Sequence, residues 1–393
     1  MLAKLKRAID NLPRNVDEYR NTITLLTGRS FDASSLYACE GTQKTEDKLN
    51  RFFSEDIPFV FQRSFDFWNG DLCKRVEKLS NATNRTITFT KREVIEMMCC
   101  ISIGCFRGGI HNISFLRWQQ RYQPDSFLIL EEYLHQMRTY PNLDESFTIE
   151  THTLFTLESI ESLLQSTVPL SKVSTALSQR IEDCKDYSFI DFANKHIGGA
   201  SLSSPCAQEE ILFLIYPECC LSMAFAHTMK PNEAIRIRGC SRVANYTGYG
   251  HSFHYNTPCE TPSDVNEVIA IDAIPYGGSE QFSREAVLRD INKAIVGFQL
   301  SSSDRKGIAS GKWGCGCFGG DPCLKAMQQW IAASMAHKEL VLCLFGDKEV
   351  EETMKVLMNA GLKTVGDLMN MLVSGLEGDK EFKSSVLECL SAM

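Results

Sequence analysis

From about residue 150 onward, short runs of β-branched and aromatic residues alternate with longer helical stretches, and this alternation restricts the fold more than any other feature. Tyr187-Ser-Phe-Ile-Asp-Phe reads as a buried strand. So do Ala234-Ile-Arg-Ile-Arg, Glu267-Val-Ile-Ala-Ile-Asp and Leu340-Val-Leu-Cys-Leu-Phe. Between them, Ser283 is placed to cap a helix running to Phe298. Asp321-Pro322 is a strong helix start, with Asp at the N-cap and Pro at the first helical position. Residues 350–391 read as two or three further helices. Strands alternating with helices imply an α/β layer fold with a largely parallel or mixed sheet.

The first 140 or so residues read mainly as helix. Thr90-Lys-Arg-Glu93 is a capping box ahead of an apolar run, and Phe89 and Val94 stand where a hydrophobic staple would. A second helix is expected from Asp125 to Met137, before Pro141. Residues 142–150 are polar and read as a loop. They place a boundary between a helical segment, 1–140, and an α/β segment, 141–393, in keeping with a length of 393 residues, or form a loop inside one large domain.

The formal charge is 41 − 49 = −8. That argues against direct DNA binding through a basic surface, so the phosphates of any polyanionic ligand must be met locally. Many of the 16 cysteines lie in apolar runs, and Cys99-Cys100 and Cys219-Cys220 are adjacent pairs. They read as buried thiols of a reducing compartment, cytoplasm or nucleus. Cys315-Gly-Cys317 with Cys323 is the nearest approach to a metal-ligand pattern, and no metal is expected. The start, MLAKLKRAIDNLPRN, lacks the apolar core of a secretory signal. The longest apolar stretch, Ile211 to Phe225, is broken by Pro217 and Glu218, so no membrane span is expected.

Two segments carry chemistry. In Gly311-Lys-Trp-Gly-Cys-Gly-Cys-Phe-Gly-Gly-Asp321, five glycines crowd in front of a capped helix. Glycine lets a ligand approach the main chain, and the helix start offers unpaired N–H groups. The segment reads as an anion or diphosphate cradle, or as a flexible hinge. It contains G-x-G-x-x-G at Gly314, Gly316 and Gly319, but the preceding residues 300–310 are polar and no strand is expected there, against a dinucleotide-binding turn. A Walker motif fails because Trp313, not Ser or Thr, follows Lys312. The second segment is Asp191-Phe-Ala-Asn194 at a strand end, followed by Gly198-Gly199-Ala200 and then Gln208-Glu209-Glu210. Adjacent carboxylates suit acid catalysis when desolvated, or form a solvated first helical turn.

In order, IDFANKHIGGA from Ile190, seven residues, then QEEILFLIYPE resemble the signature of the poly(ADP-ribose) glycohydrolase family. Tyr246-Thr-Gly-Tyr249, Ile271-Asp-Ala, the glycine-rich segment and Phe345-Gly-Asp resemble further family segments over roughly residues 165 to 365. The resemblance implies a macrodomain, a three-layer α/β/α sandwich, with an N-terminal helical accessory domain. It implies hydrolysis of the ribose–ribose bonds of poly(ADP-ribose), on its own or on poly(ADP-ribosyl)ated proteins, releasing ADP-ribose without a cofactor. Glu210 would be the catalytic acid and then the base that activates water; Glu209 would bind hydroxyls of the reacting ribose. Asp191 and Asn194 would support the ribose site, beside Gly198 and Gly199 of the signature. Gly314, Cys315, Gly316, Cys317, Phe318 and Gly319 would hold the diphosphate through backbone N–H groups. Gln208 and Glu182 would contact adenine, the latter across a one-residue gap. Tyr249 and Phe345 would pack on adenine or ribose, the alternative for both being core packing.

Three residues depart from the family pattern. Ala200 replaces the third glycine, which would cost about 1–2 kcal/mol if that position needs positive φ, and its methyl would crowd a diphosphate lying there. Lys312 replaces asparagine, to contact phosphate or face solvent, and Cys317 replaces alanine. If Ala200 abolishes turnover, the chain is a macrodomain that binds ADP-ribose without cleaving it. A nicotinamide-dependent oxidoreductase, read from G-x-G-x-x-G alone, requires a strand before Gly314.

Overall fold

A computed structural model describes residues 1–39, 43–79, 86–108, 111, 113–116, 118, 124–203, 207–259, 266–275, 278–377 and 381–391. The described strands are β1 (Thr86–Thr90), β2 (Ser146–Thr153), β3 (Val173–Ala176), β4 (Tyr187–Ala193), β5 (Glu233–Cys240), β6 (Ala244–Thr247), β7 (His254–Pro258), β8 (Asn266–Asp272), β9 (Gly307–Gly311) and β10 (Glu339–Cys343). The chain forms two compact units that interleave in sequence. The first comprises Met1–Ile149, His196–His227 and Ile237–Val265; the second comprises Glu150–Lys195, Thr228–Arg236 and Asn266–Met393. The division passes through β2 and β5.

The first unit is mainly helical. Thr90 and Glu93 form the expected capping box: Glu93 N–H donates to the Thr90 hydroxyl at 3.3 Å, and Thr90 N–H to Glu93 Oε2 at 2.8 Å. The helix they start, Lys91–Ser102, buries Met97, Met98, Cys99 and Cys100 and packs on the helix Ile57–Asn69. Pro124–Arg138 is also helical, as the sequence predicts. Lys91 is buried, which is rare for lysine unless it is paired. Its ammonium donates to both oxygens of buried Glu218 at 2.9 and 2.7 Å, to Gly239 O at 2.9 Å and to Ser241 Oγ at 3.0 Å. Tyr133 and the Ser241 N–H complete the shell of Glu218. The hairpin β6–β7 is antiparallel with an irregularity at Asn245/Tyr246.

The second unit is built on parallel pairings in the order β8–β4–β9–β10–β3. Ser283 and Asp321 cap the helices Arg284–Gln299 and Pro322–Met335 as expected, each accepting from the backbone three residues on. The first helix packs on β8 and the second on β10, and they pack on each other. Ile269, Ile271, Ile291, Trp313, Leu324 and Met327 are among the residues of their shared core. Full burial of such a side chain contributes about 1.5–3 kcal/mol. The tail forms three helices, Lys348–Asn359, Val365–Leu376 and Phe382–Ser391.

Two readings of polar sequence are corrected. Residues 146–150 are not loop but the start of β2, whose Phe147 and Ile149 are buried while their neighbours are not. A strand does precede the glycine-rich segment: β9, Gly-Ile-Ala-Ser-Gly, is buried throughout. Its residues are small because it lies between β4 and β10. A Cβ on Gly307 would collide with the backbone of Glu339, and one on Gly311 with that of Cys343. Crowding, not solvent exposure, removes its hydrophobic side chains.

Removing Lys91 strands a buried Glu218. Lys91→Met is expected to lower unfolding free energy by about 3–5 kcal/mol in denaturant titration. A loss under about 1 kcal/mol would show that the pair is dispensable.

Candidate active site

In the first unit, the carboxylates are fixed by backbone. Gly198 and Gly199 have φ of 88° and 47°, a region closed to most residues with a Cβ. Gly199 N–H donates to His196 O at 3.1 Å and Ser201 N–H to Gly198 O at 2.8 Å, folding the turn on itself. Trp118 Nε1–H holds its far end by donating to Ser201 O at 2.6 Å. Gly198 N–H donates to Glu209 Oε1 at 2.5 Å, and Ala200 N–H to Glu210 Oε1 at 3.1 Å. A Cβ on Gly199 would lie 2.8 Å from Glu209 Oε2 and 3.6 Å from Glu210 Oε1. The glycines therefore answer two demands at once, left-handed backbone and room for a carboxylate.

Glu209 and Glu210 are the second and third residues of the helix Gln208–Ile215, and both are buried. Glu210 Oε2 accepts from the N-cap amide of Ala207 at 3.1 Å, the reach of a capping-box glutamate. Both oxygens of Glu210 are thus engaged by main chain, and its carboxyl plane is set. This excludes the solvated first turn. Ala200 is not among the described non-glycine residues with positive φ, so alanine there carries no backbone penalty. Gln208 begins the same helix, half-buried. Tyr249 follows β6 in the turn to β7 and is 45% exposed, which excludes core packing.

In the second unit, Asp191 lies near the end of β4, opposite Ala270 of β8. It is wholly buried, and neither carboxylate oxygen has a hydrogen-bond partner among the described residues. Burial pushes its carboxyl well above the ordinary carboxylate range. Asn194 follows β4, and Glu182 lies in the short helical turn Ile181–Asp183; both are half-buried. Phe345 follows β10 with φ of 54° and is 55% exposed. A left-handed, exposed phenylalanine is strained where no core holds it, a pattern common at binding sites.

The glycine-rich segment joins β9 to the helix Pro322–Met335. Gly320 N–H donates to Gly314 O at 2.9 Å and Gly319 N–H to Gly316 O at 3.0 Å, closing the loop. The N–H groups of Gly316, Cys317 and Phe318 have no acceptor among the described residues. Successive open N–H groups form an anion-binding concavity. Trp313, fully buried, anchors one end by donating to Ile271 O at 3.0 Å. Gln281 anchors the other, its Oε1 accepting from Asp321 N–H at 2.6 Å. Cys315 is mostly buried and its thiol is pushed up to about 12 by burial; Cys317 is exposed. Lys312 pairs with Asp347 at 3.3 Å.

Beneath this loop lies a charge cluster that the sequence reading missed. Asp272, ending β8, meets Arg289 at 2.5 Å and Lys293 at 2.6 Å. Asp290 meets Arg289 at 2.7 Å and also Lys325. Three cations face two carboxylates, leaving one surplus positive charge. The Lys325 stem underlies the loop: a Cβ on Gly314 would lie 3.4 Å, and one on Gly320 3.0 Å, from its Cε. The spacing of Arg289, Asp290 and Lys293 on one helix is the only sequence signal for this cluster, and it equally describes a solvated face.

Residues 160–352 match the family model described as poly(ADP-ribose) glycohydrolase, macro domain fold. A probable poly(ADP-ribose) glycohydrolase 2 of Arabidopsis thaliana is 32% identical over 304 residues, covering 64% of this chain and 56% of that protein. Poly(ADP-ribose) glycohydrolase 1 of Caenorhabditis elegans is 34% identical over 235 residues, covering 54% of this chain and 30% of that protein. The chain thus spans less than two thirds of either relative. A crystal structure of poly(ADP-ribose) glycohydrolase from Thermomonospora curvata is 16% identical, with a TM-score of 0.36 over 52% of this chain and 82% of that one.

A group whose carboxyl is raised by burial binds its proton more tightly folded than unfolded. Its stabilising contribution is full below the unfolded value of about 3.9 and is lost as pH rises toward the folded value. Asp191→Asn, which mimics the protonated form, is therefore expected to be more stable than wild type at pH 7, the gap narrowing toward pH 4. Denaturant midpoints at the two pH values test this. A variant less stable at pH 7 would mean that the charged form is the native one.

Proposed function

We propose that the chain belongs to the poly(ADP-ribose) glycohydrolase family, whose model residues 160–352 match, and that it hydrolyses the ribose–ribose bonds of poly(ADP-ribose) and releases ADP-ribose. The observation that carries this reading is Glu210: a buried carboxyl with both oxygens held by the N–H groups of Ala200 and Ala207. Glu210 in its acid form gives its proton to the leaving ribose oxygen as the glycosidic C–O bond breaks and an oxocarbenium-like centre develops. As a carboxylate it then takes a proton from the water whose oxygen bonds to the anomeric carbon. A fixed carboxyl plane limits the reorganisation needed for either transfer. Glu209 binds hydroxyls of the reacting ribose. Neighbours in sequence cannot flank one sugar from opposite faces, so acid and base work fall to one of them.

The other roles follow the same reading. The open N–H groups of Gly316, Cys317 and Phe318, within the loop Gly314 to Gly319, bind the diphosphate, with the Lys325 cluster adding a positive field beneath them. Asp191, protonated by burial, donates a hydrogen bond to a ribose hydroxyl that Asn194 also contacts. Gln208 and Glu182 meet adenine, and Tyr249 and Phe345 offer ring faces to adenine or ribose. Poly(ADP-ribosyl)ated proteins are then the source of the polymer, in cytoplasm or nucleus. A binding-only macrodomain was suggested by Ala200. The backbone ground for it does not hold, since Ala200 has no positive φ and donates its N–H to Glu210. An oxidoreductase shares the strand–loop–helix context, but the match over residues 160–352 favours the glycohydrolase.

Purified polymer, with free ADP-ribose as the readout, tests the proposal. Wild type is expected to release ADP-ribose; Glu210→Gln is expected to lose about 10²–10⁴-fold in rate while still binding ADP-ribose. Binding without release by wild type would overturn the enzymatic reading.

A further inference from the structure

The first unit contains a cavity of about 750 Å³ that none of the roles above uses. Its size is that of a small-molecule site. The rim carries three basic side chains, Lys4, Arg29 and Arg107, all exposed, and no Asp or Glu is among the described lining residues. This is notable in a chain of net charge −8. Lys4 already caps the helix Val16–Thr27, donating to Leu25 O at 2.9 Å and Leu26 O at 3.2 Å. The guanidinium groups of Arg29 and Arg107 have no hydrogen-bond or ion-pair partner among the described residues. The walls include three aromatic rings. Phe31 and Phe106 are buried by neighbouring rings, and half-buried Trp68 has its Nε1–H tied to Cys105 O at 3.2 Å. A fixed indole leaves a ring face as its remaining means of recognition.

Open guanidinium forks suit phosphate oxygens bidentately, and a fixed aromatic wall suits a planar base. We propose that this cavity binds an adenosine-diphosphate group, and that in poly(ADP-ribose) it holds a repeat other than the one being cleaved. The second clause rests on the glycohydrolase reading; the first does not. A second foothold raises the effective concentration of a long chain at the catalytic residues and does nothing for a substrate too short to reach both.

The test uses the full chain and photolabelling with 8-azido-ADP-ribose, followed by peptide mapping. Label is expected on peptides containing Trp68 or Arg107 as well as on those containing Gln208, Tyr249 or Phe345, where the adenine of the cleaved repeat lies. In Arg29→Glu/Arg107→Glu the cavity label is expected to vanish while the adenine-site label stays. The paired neutral variant, Arg29→Gln/Arg107→Gln, is expected to reduce it, with unfolding midpoints unchanged for both. For turnover, the charge-reversed variant is expected to raise KM for long polymer about tenfold, with the dimer unaffected. Label confined to the peptides containing Gln208, Tyr249 or Phe345, or cavity label that survives charge reversal, would overturn the site. Equal KM changes for polymer and dimer would overturn its role as a second foothold. Cavity label in a wild-type protein that releases no ADP-ribose would support the nucleotide site and overturn the glycohydrolase reading instead.

Discussion

The second unit depends on a small patch of buried charge. Asp272 ends β8, Arg289, Asp290 and Lys293 lie on one helix, and Lys325 on the next. Their ion pairs fasten a strand end to two helices at the level of the glycine-rich loop. Burial holds the Lys293 ammonium below its ordinary value, with Asp272 opposing that shift. Burying four charges beside a half-buried Arg289 is unfavourable unless each is paired, and here each is. The stem of Lys325 also runs beneath the loop, 3.4 and 3.0 Å from where a Cβ at 314 and 320 would lie. Glycine at 314 answers to its φ of 74° and to the Ala273 methyl 2.6 Å away, and glycine at 320 to the Gly314 carbonyl oxygen at 2.8 Å.

The carboxylate-bearing turn of the first unit uses a different device. Charge there is met by main-chain N–H groups, which cannot rotate away and bring no counter-charge. Glu209 and Glu210 are held from the turn Gly198–Ala200 and from the helix N-cap. One device supplies long-range field, the other local aim.

Some of this was legible in the sequence for plain reasons. Ser283, Asp321 and Thr90 cap helices because their side chains reach the first-turn N–H groups, a local geometry that tertiary context rarely overrides. β4, β8 and β10 are buried on parallel neighbours and read as continuous apolar runs. β9 belongs to the same sheet yet does not read as a strand, because neighbouring backbone leaves no room for a side chain at 307 and 311 and Ile308 is its one large apolar residue. β2 was lost in polar residues whose partners Phe147 and Ile149 alternate over too short a span. The charge cluster and the Gln281 clamp were invisible because Arg289, Asp290, Lys293 and Gln281 look alike whether solvated or enclosed. The conformation of Ala200 lay outside the sequence as well: a residue type shows what a backbone tolerates, not what it adopts.

The chain passes from one compact unit to the other five times, at 149/150, 195/196, 227/228, 236/237 and 265/266. Glu209 and Glu210 consequently pack with the N-terminal helices, whereas the glycine-rich loop packs with the C-terminal ones. In the language of inheritance, these parts are not a cassette and an appendage. Any single crossover in the gene therefore leaves at least one unit made of segments from two parents, which must still pack on one another.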